Sequence, residues 1–221
     1  MAAALSVSSP GPLTRQRSLH LLVLAAGRGA CMGVDLDSGA LTVAQWHGGA
    51  DPGLAAFDLA MAVRSGPAAG AAGAVVPADP ARPEAVLVER APGREGRMRR
   101  RVAERYLRPL LLGPKEHLLG FAGSTVPYWT LDGFQPSLCL VAPPGGVTVT
   151  ADRTVRFTWR GWVQELPLAH AALPVPTFSR RPRLAGAALA DTLGFLPRRL
   201  LVALSPPRAG LCHKVTTALL P

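Results

Sequence analysis

Lysine is nearly missing from this chain. Two of its 221 residues are lysines, Lys115 and Lys214, against 22 arginines and 14 acids, which leaves a formal net charge of +10. Cysteine is almost as scarce. Cys31, Cys139 and Cys212 are odd in number and far apart, which excludes a disulfide-stapled scaffold and suits buried, reduced thiols. No Cys-x-x-Cys occurs, and none of His20, His47, His117, His170 and His213 pairs at ligand spacing, so no metal site is expected. Apolar runs stop short of the ~18–20 residues of a membrane span; residues 19–26 are too few, and 54–63 are broken by Asp58. A Gly-x-Ser-x-Gly nucleophile elbow is missing, and Ser124 in Gly123-Ser124-Thr125 reads as turn chemistry. The carboxylates form no evident acid pair; Glu165, beside aromatic strands, is the one to check. Disorder throughout is excluded by a charged fraction of only 17% and an apolar fraction of 48%. Collagen is excluded because glycine has no three-residue period.

What is present is a β pattern. Residues 19–25 are apolar and strand-like. Residues 31–35 and 40–46 flank Leu36-Asp37-Ser38-Gly39 as a hairpin. Phe57, Leu59, Met61 and Val63 alternate with small or polar residues, the two-residue period of a strand. Runs at 84–89, 118–121, 126–131, 137–141, 147–150, 200–204 and 211–219 are short, apolar and punctuated by glycine and proline. Val155, Phe157 and Trp159 alternate with Arg156, Thr158 and Arg160, and 162–168 continue after Gly161. One short helix is predicted near 185–193, stopped by Gly194. The expected fold is mainly β with a minor α part: antiparallel hairpins forming a small barrel or sandwich. Four segments follow: a flexible arm at 1–18, a hairpin lobe at 19–64, a Gly/Ala/Pro linker or long loop at 65–83, and the main β-rich domain at 84–221. Seven of the twelve aromatics fall between Phe121 and Trp162, so the main core is expected there. Leu21-Leu22-Val23 with Arg28-Gly29-Ala30-Cys31 is echoed by Leu201-Val202 with Arg208-Ala209-Gly210-Leu211-Cys212, two strand–turn–strand units.

Arg15 and Arg17 before the apolar residues 19–26, with Cys31 after them, have the outline of a secretion signal. Arg28, however, stands where a lipoprotein cleavage site takes an aliphatic residue, and the expected location is cytoplasmic. Asp35-Leu36-Asp37-Ser38-Gly39 has the alternate acids of a calcium loop, but its twelfth position is Trp46 rather than Glu. A turn whose backbone amides are satisfied by Asp37 is expected instead.

Arginine clusters in two places. Seven lie within 94–108, among them Arg97, Arg99, Arg100, Arg101 and Arg105, and five more within 180–199. Val102, Tyr106 and Leu110 give the first cluster a helical stripe, which Pro109 would end. The function that fits a β pattern without a convergent catalytic set is a non-catalytic cytoplasmic interaction or scaffold module, with another protein as partner and no cofactor. Its contact surface would be a sheet edge or the arginine-rich loop. The alternative is a nucleic-acid-binding β-domain, with these arginines on phosphate and Trp129, Trp159 and Trp162 stacking bases.

A second alternative comes from Leu24-Ala25-Ala26-Gly27-Arg28-Gly29-Ala30-Cys31-Met32-Gly33. This stretch resembles the phosphate loop of the sugar-nucleotide and molybdenum-cofactor nucleotidyltransferases. In that family an apolar strand runs into a glycine-rich turn whose amides cradle a nucleoside triphosphate. The resemblance implies nucleotide binding at Gly27, Arg28, Gly29 and Gly33.

Overall fold

A computed structural model describes residues 18–48, 51–65, 79, 81–169 and 183–221. Of the arm expected at 1–18, all but Ser18 lies outside the described residues, as do most of the 65–83 segment and Arg180 and Arg181; Ser18 is the first residue of a strand. Among the described residues no helix is long and apolar enough to cross a membrane.

The first sheet uses β1 (Ser18–Gly27), β2 (Ala30–Asp35), β3 (Leu41–Gln45), β4 (Asp58–Val63), β5 (Ala85–Leu87) and β6 (Gly93–Arg97), in the order β5-β3-β2-β1-β4-β6. All its pairings are antiparallel except β3–β5. The sheet curls like a half-barrel, and main-chain bonds from Ser65 N–H to Leu87 O and from Glu89 N–H to Val63 O, both 2.9 Å, bring its ends together. Leu19, Leu21, Val23, Cys31, Ala44, Trp46, Ala60, Ala62 and Val88 fill the concave side. The interior is narrow, so on β4 it takes Ala60 and Ala62, while Leu59, Met61 and Val63 are only half-buried on the other face. β5 and β6 follow the 65–83 segment yet pair with β3 and β4, so residues from both sides of that segment build this sheet.

Two short helices, α1 (Arg100–Leu107) and α2 (Gly186–Leu193), accompany the strands, where sequence alone singled out only the second. α1 turns Ala103 and Leu107 inward and leaves Val102 and Tyr106 exposed. The buried stripe is thus one position on from the expected 102/106/110 stripe. β7 (Thr125–Pro127) and β8 (Leu138–Val141) join β13 (Arg199–Leu204) and β14 (Leu211–Leu220) in a second sheet, ordered β7-β14-β13-β8. β9 (Thr148–Thr150), β10 (Thr154–Trp159), β11 (Trp162–Pro167) and β12 (Arg183–Ala185) form the third, ordered β11-β10-β9-β12. Of the runs expected as strand, 118–121 holds a 3-10 turn at Leu118–Gly120, and 126–131 is strand only to Pro127 and then a 3-10 turn at Tyr128–Thr130. Pro127 cannot extend the β7 ladder.

The second sheet is the middle layer. Leu140, Leu201, Ala218 and Leu220 pack with Leu22, Leu24 and Val34 of the first sheet and with Ala103 and Leu107 of α1. Cys139, Val141, Leu200, Val202 and Leu204 pack with Val149, Val155, Phe157, Leu166 and Leu189 on the other side. Burial on both faces explains why β13 is a continuous apolar run rather than an alternating one. Each echoed segment is a hairpin, β1–β2 in the first sheet and β13–β14 in the second. Apart from Ala81, the buried members of the largest core cluster do lie between Leu118 and Leu219, but they are mostly aliphatic. Of the seven aromatics expected in it, Phe157 and Trp159 are buried, whereas Trp129, Phe134 and Trp162 are exposed. They sit at turns and on a sheet edge that no other layer covers among the described residues.

Candidate functional site

A cleft of about 700 Å³ opens between the β10–β11 hairpin and the loop at 117–124. Its size falls in the range of small-ligand and peptide sites. The hairpin turns through Arg160 and Gly161, with φ of +54° and +78°. These are the two left-handed residues of a type I′ turn, which usually takes Asn-Gly. An arginine there carries backbone strain.

Trp159 and Trp162 flank this turn as cross-strand partners. Trp159 is core, and its indole N–H donates to Glu116 O at 2.9 Å. Trp162 stands 76% exposed over the cleft. The loop wall is held from three directions. Trp159 grips Glu116, the Arg160 guanidinium meets the His117 ring, and Lys214 braces the loop from below. Lys214 Nζ donates to Phe121 O, and its backbone N–H donates to Ser124 O at 2.9 Å.

Lys214 is 1% exposed. Burial disfavours its charged form and lowers its pKa from 10.5 to about 8, with nearby Cys139 pulling slightly the other way. Sequence reading passed over this residue. The signal was there: one of only two lysines, placed between Cys212 and Thr216 on the inward-facing period of an apolar strand. Burial alone pushes the Cys31 thiol up to about 12. For Cys139, also raised to about 12, burial is the largest cause, with a Leu119 backbone hydrogen bond and Lys214 opposing it and Glu84 adding to it. Cys212 is raised by burial and by Asp79, with Arg82 opposing.

β11 contributes more than side chains. Leu168 N–H donates to Arg153 O at 2.7 Å, so the even-numbered positions of this strand turn their main-chain groups toward β10. The odd-numbered positions turn outward, and Ala169 N–H reaches Thr216 O of β14 at 2.8 Å. Further toward the turn β11 diverges from β14. There the N–H and C=O groups of Val163 and Glu165 face the cleft side with no partner among the described residues. The Glu165 carboxylate lies 3.4 Å from Arg156 Nε across the strand pair, an exposed ion pair.

The other candidates fall elsewhere. Trp129 is 72% exposed but rests against the turn at Gly210, where a Cβ would come within 2.8 Å of its ring. It does not line the cleft, so Trp129, Trp159 and Trp162 do not form one stacking face. Arg97 on β6, Arg99 just before α1, and Arg100, Arg101 and Arg105 on α1 are all exposed, and none of them lines the cleft. A separate hollow of about 400 Å³ is lined by Phe57, Arg97, Met98, Arg99, Arg100 and Phe195 together with Pro221.

Gly27, Arg28 and Gly29 make the tight β1–β2 turn, with Gly29 at φ +78°, and the chain continues as strand rather than as helix. Gly33 lies inside β2, opposite the irregularity at Val23/Ala25, where a Cβ would meet Leu22 O at 2.4 Å. Its lack of a side chain admits a neighbouring strand. The acidic turn is satisfied by Asp35 rather than Asp37: the buried Asp35 carboxylate accepts from Asp37 N–H, Ser38 Oγ and Arg64. Among the described residues no group of three or more His, Cys, Asp and Glu side chains could hold a metal ion. Compared with known proteins, the chain matches no family model, no curated protein and no solved structure.

Proposed function

We propose that this chain is a non-catalytic interaction module that takes an extended segment of another protein along the free edge of β11. One observation carries the reading: the outward main-chain groups of Val163 and Glu165, unpartnered among the described residues, border a cleft of about 700 Å³. An added strand satisfies such groups with backbone hydrogen bonds, and pockets beside the edge select alternate side chains. Exposed Trp162 offers an apolar platform for one of these. Arg160 offers a cation for an acidic residue at the turn end.

Strain at Arg160 fits the same reading, since unfavourable backbone is kept where a particular side chain is needed. Three buried free thiols suit a cytoplasmic location.

The test is selection of peptides from a displayed library of random 12-residue sequences on the intact chain, followed by two proline variants. The N–H of Val163 points outward, so Val163→Pro removes a donor for the peptide and no ladder bond. It should fold and lose the selected peptides. Gln164→Pro breaks the β10 ladder and should lower the melting temperature instead. Peptides that bind Val163→Pro as well as the unaltered chain would refute the edge as their site.

A further inference from the structure

We infer that the arginine surface of β6 and α1 is a second, separate site, and that it binds a single-stranded polynucleotide. Arg94, Arg97, Arg99, Arg100, Arg101, Arg105 and Arg108 are all exposed. Two of them are neutralised locally: Arg94 lies 3.3 Å from Asp58, and Arg100 lies 3.3 Å from Glu104. Arg99, Arg101, Arg105 and Arg108 have no ion pair or hydrogen bond from the side chain among the described residues, and Arg97 only touches Ala56 O at 3.5 Å. So many unpaired cations within one short stretch form a strongly positive surface, which an anionic partner would neutralise.

The arrangement says which polyanion. Arg101, Arg105 and Arg108 fall at i, i+4 and i+7, one stripe on the face of α1 opposite the buried Ala103 and Leu107. Val102 and Tyr106, both exposed, form the neighbouring stripe. A tyrosine ring beside a track of cations is the combination that holds an unpaired base while the backbone follows the charges. At the start of α1 the hollow of about 400 Å³ repeats the pattern, with Phe57, Met98 and Phe195 inside and Arg97, Arg99 and Arg100 around it. A base fits the apolar part and a phosphate the arginines.

The cations of the patch are all arginine, as nearly all of this chain's cations are. Guanidinium forks grip phosphate with two parallel bonds and stack on bases, whereas the diffuse charge of a lipid surface is served equally by lysine. A duplex keeps its bases paired and unavailable to Tyr106 and to the hollow. This site shares no residue with the β11 cleft, so it stands whether or not that cleft binds a peptide.

Fluorescence anisotropy with labelled 12-nucleotide RNA and DNA single strands of mixed sequence tests it on the intact chain. Both strands should bind at 50 mM salt. Affinity should fall with salt at a log–log slope of about −0.7 per phosphate contacted. The triple variant R101A/R105A/R108A should bind at least tenfold more weakly, with a slope shallower by about 2, while its melting temperature stays unchanged. Tyr106→Ala should weaken binding about fivefold or more. Arg208→Ala, an exposed arginine of the 205–210 turn, should change nothing.

Three results would overturn the assignment. The first is no binding of either strand at 50 mM salt. The second is a triple variant within twofold of the unaltered chain. The third is a preference for a 12-base-pair duplex, or for vesicles of 30% phosphatidylserine, over the single strands.

Discussion

Trp159 and Trp162 are paired across one hairpin, yet one is 4% exposed and the other 76%. The inner ring is anchored by its bond to Glu116, and the outer one overhangs the cleft. The two should therefore separate stability from binding. Trp159→Ala empties a packed core position and should cost about 3–5 kcal/mol in a urea melt. Trp162→Ala should shift the same melt by less than about 0.5 kcal/mol, while weakening any peptide selected on the cleft.

Arg160 sits at φ +54° in a turn that prefers asparagine. Arg160→Asn should stabilise the fold by about 0.5–1 kcal/mol, because asparagine tolerates the left-handed region. The lost contact with His117 is exposed and offsets little of that gain. The same variant should bind acidic peptides more weakly. A chain that gains stability and loses affinity together would mark Arg160 as a residue kept for recognition. Unchanged affinity would make the strain incidental.

Lys214 links pH to stability. Its pKa falls from 10.5 to about 8 on folding, so between these values the unfolded chain binds more protons and stability rises with pH. Below about pH 8 both states are protonated and this group contributes no slope. The raised thiols act in the opposite sense above pH 9. The useful comparison is therefore the chain against Lys214→Met between pH 8 and 9. The lysine form should gain about 1 kcal/mol more than the methionine form across that unit, read from urea midpoints at each pH. Parallel curves would show that the amine is solvated in solution.

Cys31, Cys139 and Cys212 are buried free thiols with raised pKa values. The thiolate is the reactive form. Ellman's reagent at pH 8 should thus label none of the three within minutes in the native state and all three in guanidinium chloride. Rapid labelling of a native thiol would place that residue at the surface.

Gly33 and Gly27 lie in one glycine-rich stretch but do different work. A Cβ at Gly33 would meet backbone at 2.4 Å, whereas one at Gly27 would meet nothing within 4 Å. Gly33→Ala should cost about 2 kcal/mol or more and Gly27→Ala less than about 1 kcal/mol. Equal costs would contradict the strand packing described for β2.

How much of this was legible in the sequence depends on what each element rests on. Alternation at 155–159 marked β10, because burial on one face writes itself into every second residue, and Gly161 marked the break before β11; the left-handed turn at Arg160 left no such mark. Gly194 likewise marked the end of α2; it lies at φ +75° as a left-handed cap. α1 was harder. Its buried stripe holds only Ala103 and Leu107, so the larger Val102 and Tyr106 drew the apolar face to the wrong side. β6 has no apolar pattern at all, and pairs because β4 offers an open edge. Glu165 and Trp162 were noticed as residues, but the cleft they border is made by the loop at 117–124 and by Lys214, far away in the chain. Main-chain groups such as those of Val163 and Glu165, which have no partner among the described residues, leave no trace in side-chain chemistry. They become visible only once the register of β11 is known.

Hydrogen exchange of individual amides tests the free edge most directly. In the unliganded chain the amides of Trp162, Gln164 and Leu166 should be protected by β10, and those of Val163 and Glu165 should exchange freely. Adding a peptide selected on the cleft should slow Val163 and Glu165 by at least tenfold and leave their neighbours unchanged. Protection of Val163 and Glu165 before any peptide is added, or protection that appears only elsewhere, would contradict an open strand edge at β11.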